Sequence, residues 1–285
     1  MITVVASGAA TFVEDGGRRG FAGIGVSPSG FFDRGAAAAA NRLVGNDPPT
    51  AALEALGGGL CLRSAAAMVV AVTGAQGPVR VAGEPVARNS TVIVPPDADL
   101  ELGHPTRGAR SYVAVRGGIA ARPVLSSRSW DTLGRLGPRP LTVGDLLSTG
   151  PAIRPLPPVD HIPTWESSGP LAVTPGPRLD WFTRDSWDRL TTTEYTVASD
   201  SDRVGIRLTG DPLTRSRGGE LPPEGLVRGA IQVPPDGQPI LLGPDHPATG
   251  GYPVIGVLTA AAADRCAQLL PGDRIRLSAI LVAGR

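Results

Sequence analysis

Between Ala51 and about Gly150 the apolar residues come in short runs, LCL, MVVAVTG, VRVAG, STVIVPP, LEL, SYVAVRGG and LTVGDLL, each closed by Gly, Pro or Asp. Runs this short and this often interrupted do not alternate with long crossover helices, so they argue for a barrel or sandwich over a parallel βαβ sheet. The turns are well supplied. Gly 38 and Pro 29 in 285 residues come to about a quarter of the chain, short of the range for low-complexity disorder but enough for many tight connections.

The second half follows a similar plan. Strands are expected at 171–175, 195–199 and 204–208, with one or two short helices at 178–190 and another from about Ala260 to Leu269, capped by Thr259. The aromatic stripe Trp181, Phe182, Trp187 reads as core. In the first half, residues 2–13 read as an opening strand, and Asp33 caps an alanine-rich helix over 36–44 that Gly45 stops. LTVGDLL at 141–147 is echoed by LLPGDRIRL at 269–277, one at the end of each half. Pro151, Pro155, Pro157, Pro158, Pro163 and Pro170 exclude a central strand between them and mark the interdomain connection. The expectation is a mainly β chain of two related barrels with a few short helices, over 1–155 and 168–285.

A net charge of +1 argues against nucleic acid or an anionic membrane as the main partner. All 27 basic residues are Arg. Without lysine the chain has no Schiff base, no biotinylated lysine and no lysine-bearing phosphate loop. Cys61 and Cys266 sit in apolar segments and read as buried free thiols of a reducing, cytoplasmic compartment. No segment reads as a leader or a membrane span. The histidines His104, His161 and His246 have no metal-ligand spacing, and no metal is expected. GIGVSPSGFFD misses the glycine spacing of a nucleophile elbow at Ser27 or Ser29.

The most polar strand-and-turn segment is GAIQVPPDGQPILLGPDHPATGGYP at 229–253. Turn chemistry alone accounts for Pro235-Asp236-Gly237. It does not account for Gln232, Gln238 and the run Thr249-Gly250-Gly251-Tyr252 together, which suit a small ligand bearing both donors and acceptors. His246 lies within this segment and is the one histidine expected to act. Asp202-Arg203 reads equally as a surface ion pair or as a ligand fork, Arg203 facing a substrate carboxylate and Asp202 accepting from an amide N–H. The candidate catalytic residues are therefore Asp202, Asp236 and His246. The candidate binding residues are Arg203, Gln232, Gln238, Thr249, Gly250, Gly251 and Tyr252.

SDRVGIRLTG at 201–210, GAIQVPPDGQPILL at 229–242 and TGGYP at 249–253 resemble the signature of the Kip-antagonist family, also known as allophanate hydrolase subunit 2, biotin-dependent carboxyltransferase, or the C subunit of bacterial 5-oxoprolinase. DRGAAAAANRLVGN at 33–46, AALE at 51–54, SYVAVRGGI at 111–119 and PLTVGDLL at 140–147 extend the resemblance over nearly the whole chain. The resemblance implies tandem cyclophilin-like barrels and partnership with a Kip-inhibitor-type B subunit, often joined by an A subunit. It implies one of three functions: ATP-dependent opening of 5-oxoproline to glutamate, with ATP shared with or bound by the partners; carboxyl transfer from carboxybiotin to urea or a related amide, which alone would involve biotin; or a non-enzymatic regulatory module. Both reactions act on an unreactive amide, which a site must polarise with placed donors and acceptors. Family members commonly read Gln-Thr-Thr-Gly-Gly-Tyr-Pro-Lys where this chain has Pro247 to Val254, so the cation implied beside a carboxylated group is missing.

Overall fold

The computed structural model describes residues 1–163, 168–219 and 221–280. The chain divides into two compact units. One holds Met1–Arg18, Ser29–Asp131 and the segment from Arg135 into the connection, and the other holds Arg19–Pro28, Thr132–Gly134 and the chain after the connection. Residues 164–167 of the expected connection lie outside the described residues.

In the first unit the elements run β1 (Ile2–Ser7), β2 (Ala10–Glu14), α1 (Arg34–Leu43), β3 (Ala52–Leu56), β4 (Leu60–Ser64), β5 (Met68–Gln76), β6 (Val79–Val81), β7 (Glu84–Val86), β8 (Thr91–Val94), β9 (Asp99–Leu102), β10 (Arg107–Val115) and β11 (Leu146–Leu147). They form two sheets, ordered β11-β1-β4-β9-β6-β7 and β2-β3-β10-β5-β8. Both sheets face one core, to which Val4, Leu62 and Leu100 come from the first and Leu53, Val72 and Val113 from the second. Each such side chain contributes roughly 1.5–3 kcal/mol by leaving water.

The period of two then puts Ala52, Ala71, Tyr112 and Ala114 on the opposite face of the second sheet, where α1 packs with Ala37, Ala40 and Leu43. Small residues on both sides let helix and sheet approach closely. The helix starts as expected, with the Asp33 side chain accepting from the Ala36 amide at 2.9 Å. The expected opening strand is split at Gly8, φ 65°, where the chain passes from one sheet to the other while running on antiparallel first to β4 and then to β3.

The second unit closes as a barrel of β12 (Leu171–Pro175), β13 (Glu194–Val197), β14 (Gly205–Thr209), β16 (Ala230–Gln232), β17 (Ile240–Leu242), β19 (Val254–Leu258) and β20 (Arg274–Ala279), in the order β12-β19-β16-β17-β14-β13-β20. A separate two-stranded ribbon joins β15 (Glu224–Gly225) to β18 (Thr249–Gly250). Two short helices, α2 (Arg184–Thr192) and α3 (Ala260–Arg265), start at Thr183 and Thr259, whose hydroxyls accept from Ser186 and Ala262. The chain is thus mainly β with a few short helices, as its punctuated strands require. Among the described residues no helix is long and apolar enough to cross a membrane. Cys266 is buried, but Cys61 is half-buried, since β4 alternates its faces and turns Leu60 and Leu62 inward instead.

Candidate functional site

Strands β16 and β17 form the hairpin expected from the sequence, with Ile231 opposite Leu241 and Gln232 opposite Ile240. At its tip the polar groups serve the turn. Asp236 is exposed and its Oδ1 accepts from the Gln238 amide at 3.0 Å. The Gln238 carboxamide accepts from the Gly210 N–H at 2.9 Å and donates to the Gly210 carbonyl at 3.1 Å. This clamp uses both ends of an amide that the sequence assigns to a ligand, and it joins the tip to the end of β14.

At Gln232, where β16 runs into the connecting loop, the situation differs. Between Ile231 and Gln232 the pairing with β19 slips by one residue, so that Ile231 faces Gly256 and Gln232 faces Val254. Such a bulge re-aims side chains. Gln232 is 6% exposed. Its Nε2 donates to the Tyr252 carbonyl at 3.1 Å, and its Oε1 has no hydrogen-bond partner among the described residues. Gly250 lies against it, where a Cβ would come within 2.9 Å of Gln232 Nε2 and 2.8 Å of Leu226 Cδ1. A Cβ there would displace both side-chain ends, the Gln232 carboxamide among them.

Thr249 and Tyr252 are exposed, and Gly250 and Gly251 half-exposed, beside this amide. The segment is held from the other side by the ribbon, with Glu224 opposite Gly250, and by Leu226 N–H donating to the Ala248 carbonyl at 3.0 Å. Glu224 is in turn hydrogen-bonded and ion-paired to Arg178, whose fork holds the carboxyl below the usual range. Behind this wall Leu226, Ala230, Leu242 and Val254 form an apolar cluster. Val254, where the family pattern has a lysine, is 6% exposed inside that cluster.

Arg203 is also buried, at 3% exposure, and it faces away from any ligand role of the kind expected. Its Nε and Nη2 meet Oδ2 and Oδ1 of Asp245 at 3.0 and 3.2 Å, a bidentate pair. The expectation that Arg203 offers its fork to a substrate carboxylate is corrected here, because a fully buried Asp245 takes that fork. Asp202 is not its ion partner. It is exposed, and its Oδ1 accepts from the Val204 and Gly205 amides at 2.8 and 3.1 Å to close its own turn.

The pair anchors the loop that carries His246. The Asp245 N–H donates to the Arg203 carbonyl at 3.1 Å, and Asp245 Oδ2 accepts from the Thr132 amide at 3.1 Å. Ser27 is buried and its hydroxyl donates to the Pro244 carbonyl at 3.1 Å, which occupies it structurally. His246, 3% exposed, approaches the Pro247 carbonyl through Nδ1 at 2.8 Å. A carbonyl only accepts, so Nδ1 carries a proton.

The structure thus gathers the expected residues into separate groups: Gln232, Gly250 and Tyr252 in one wall, Arg203 and the His246 loop through Asp245, and Asp236 with Gln238 at the tip. Sequence reasoning missed Asp245. It also missed a buried group in the first unit, where Glu54 pairs with Arg110 at 3.4 Å and accepts from the Phe32 amide at 2.9 Å, while Arg110 lies 4.8 Å over the Phe32 ring. A lone carboxylate inside the apolar strand ALEAL was the available signal, since a strand covered on both faces must pair any charge it contains. Among the described residues no group of three or more His, Cys, Asp or Glu is placed to hold a metal.

The model of the carboxyltransferase domain, subdomain A and B, matches residues 24–279, and the chain belongs to that family. It is 36% identical over 278 residues to the 5-oxoprolinase C subunit of Escherichia coli strain K12, covering 96% of this chain and 90% of that protein. It is 32% identical over 300 residues to urea amidolyase of Saccharomyces cerevisiae, covering 96% of this chain but 16% of that one. Among solved structures, the K. lactis urea amidolyase matches with a TM-score of 0.90 at 30% identity, covering 97% of this chain and 18% of the longer one.

Proposed function

We propose that this chain is the C subunit of an ATP-dependent 5-oxoprolinase complex, recognising the lactam amide of 5-oxoproline beside two partners, a Kip-inhibitor-type B subunit and an A subunit. The observation that carries this reading is the near end-to-end match to the 5-oxoprolinase C subunit of Escherichia coli, of which 90% is covered. The wall at 232 and 249–252 supports it chemically. Gln232 Oε1, fixed by the bond from Nε2 to the Tyr252 carbonyl, accepts from the lactam N–H. The Gly250-Gly251 backbone reaches the lactam carbonyl, with Thr249 and Tyr252 at the rim. Polarising both ends of the N–C=O unit weakens its resonance and favours attack at carbon. His246 is the proton-carrying group of this reading, and Arg203 acts as a positioning residue through Asp245. Asp202, Asp236 and Gln238 remain turn residues.

ATP supplies the free energy of the opening. The wall does not fit a triphosphate, since Arg203 and Arg178 are each committed to a carboxylate and the chain has no lysine. The nucleotide is therefore assigned to the partner subunits. The compartment of this reading is the cytoplasm, in keeping with free cysteines, of which Cys266 has its thiol pushed up to about 12 by burial.

The test is to purify the chain with its two partners and follow glutamate release from 5-oxoproline with ATP. A folded, assembled trio that releases no glutamate would sink the proposal. Carboxyl transfer is the second reading, favoured by the family's description and weakened by Val254, which packs in an apolar cluster where the family pattern has a lysine. Incubating the complex with carboxybiotin and urea separates the two readings.

A further inference from the structure

5-Oxoproline carries a carboxylate as well as a lactam, and Arg203, expected to take such a group, is closed onto Asp245. That carboxylate sits on the ring carbon bonded to the lactam nitrogen. Whatever holds it must therefore be an immediate neighbour of the acceptor for the lactam N–H, which is Gln232 Oε1 in the function proposed above. Arg178 and Arg228 give their guanidinium groups to Glu224 and Asp264. Arg215 is held differently.

The segment carrying Arg215 follows β14 and is fastened on two sides. Leu213 N–H donates to the Gly237 carbonyl and Ser216 N–H to the Trp181 carbonyl, each at 2.9 Å. The Ser186 hydroxyl in α2 donates to the Thr214 carbonyl and accepts from the Thr214 N–H, at 2.9 and 2.8 Å. From here the Arg215 side chain reaches the residue after Gln232, its Nη2 donating to the Val233 carbonyl. Val233 N–H donates in turn to the Pro253 carbonyl at 3.2 Å, next to the Tyr252 carbonyl that fixes the Gln232 amide. The guanidinium is thus anchored beside Gln232, where Val233 and Pro253 pair. Arg215 is half-exposed, with Nε buried. Nη1 bonds no described residue and is the end of the guanidinium that reaches solvent.

We propose that Arg215 Nη1 donates to the carboxylate of 5-oxoproline, a charge-assisted hydrogen bond, and so makes the site select the acid over the bare lactam. This rests on the function proposed above and adds its specificity-determining residue. The test uses complexes assembled with the natural chain, Arg215→Met or Arg215→Lys. Glutamate release from 5-oxoproline with ATP is followed, together with its inhibition by γ-butyrolactam, the same ring without the carboxylate. A contact made equally in ground and transition states is read in KM. Arg215→Met should raise KM about 30-fold with kcat near the natural value, the loss of one hydrogen bond to a charged group. Inhibition by γ-butyrolactam should not change. Arg215→Lys keeps the charge with a different reach, raises KM by a smaller factor, and carries the test if the Arg215→Met chain does not assemble. An unchanged KM in the assembled variants, or an equal weakening of γ-butyrolactam, overturns the role of Arg215 and leaves the lactam wall standing. A natural complex that releases no glutamate overturns the function on which that role rests.

Discussion

Gln232 and Gln238 lie in one hairpin, yet their carboxamides are committed differently. Gln238 gives both ends of its amide to the Gly210 backbone, whereas Gln232 gives only Nε2, to the Tyr252 carbonyl. The first arrangement ties the oxygen and the nitrogen of the amide to the same backbone unit. The second fixes the amide and leaves Oε1 beside the Gly250 backbone. A segment dense in polar groups thus serves two purposes, closing a turn within the loop and presenting a wall where β16 meets it.

Four substitutions would break or sharpen this contrast. Asp245→Ala has the largest effect, because it strands the Arg203 guanidinium at 3% exposure. Denaturant unfolding should show a loss of about 3–5 kcal/mol, while a value under ~1 kcal/mol, that of a surface pair, would mean the pair does not anchor the His246 loop. Gln232→Leu removes the unspent acceptor, together with the bond from Nε2 to the Tyr252 carbonyl, with little change in volume. It should lower kcat/KM for 5-oxoproline about 100-fold in the assembled complex, near 2.7 kcal/mol, with a melting temperature close to the natural one.

Gln238→Ala deletes two hydrogen bonds at the exposed tip of the hairpin, for about 1–2 kcal/mol of stability, and leaves activity in place. The smallest effect belongs to Asp236→Ala, which loses one bond on an exposed turn and costs about 0.5–1 kcal/mol. Activity lost in step with Gln232→Leu would return Asp236 to the catalytic group.

The parts legible in the sequence were those set by near neighbours. Asp33 three residues before Ala36 makes a helix cap wherever the chain goes next, and short runs closed by Gly and Pro make strands. The resemblance of 229–253 and 201–210 to a known family pointed to the family that the comparisons show. The commitments of its side chains were not legible, because they depend on partners far along the chain. Arg203 reads as an adjacent doublet with Asp202, but its fork meets Asp245, forty-two residues on. Gln238 finds Gly210 at the end of the neighbouring strand β14, twenty-eight residues back. The bulge at Ile255, which turns Gln232 toward Tyr252, has no local marker among Val254, Ile255 and Gly256.

The contrast between the two glutamines is tested most directly by glutamate release from 5-oxoproline and ATP, measured for complexes assembled with the Gln232→Leu or the Gln238→Ala chain. The account predicts that the first falls about 100-fold while the second keeps its rate near that of the natural complex. Equal rates in the two, or a greater loss with Gln238→Ala, would contradict it.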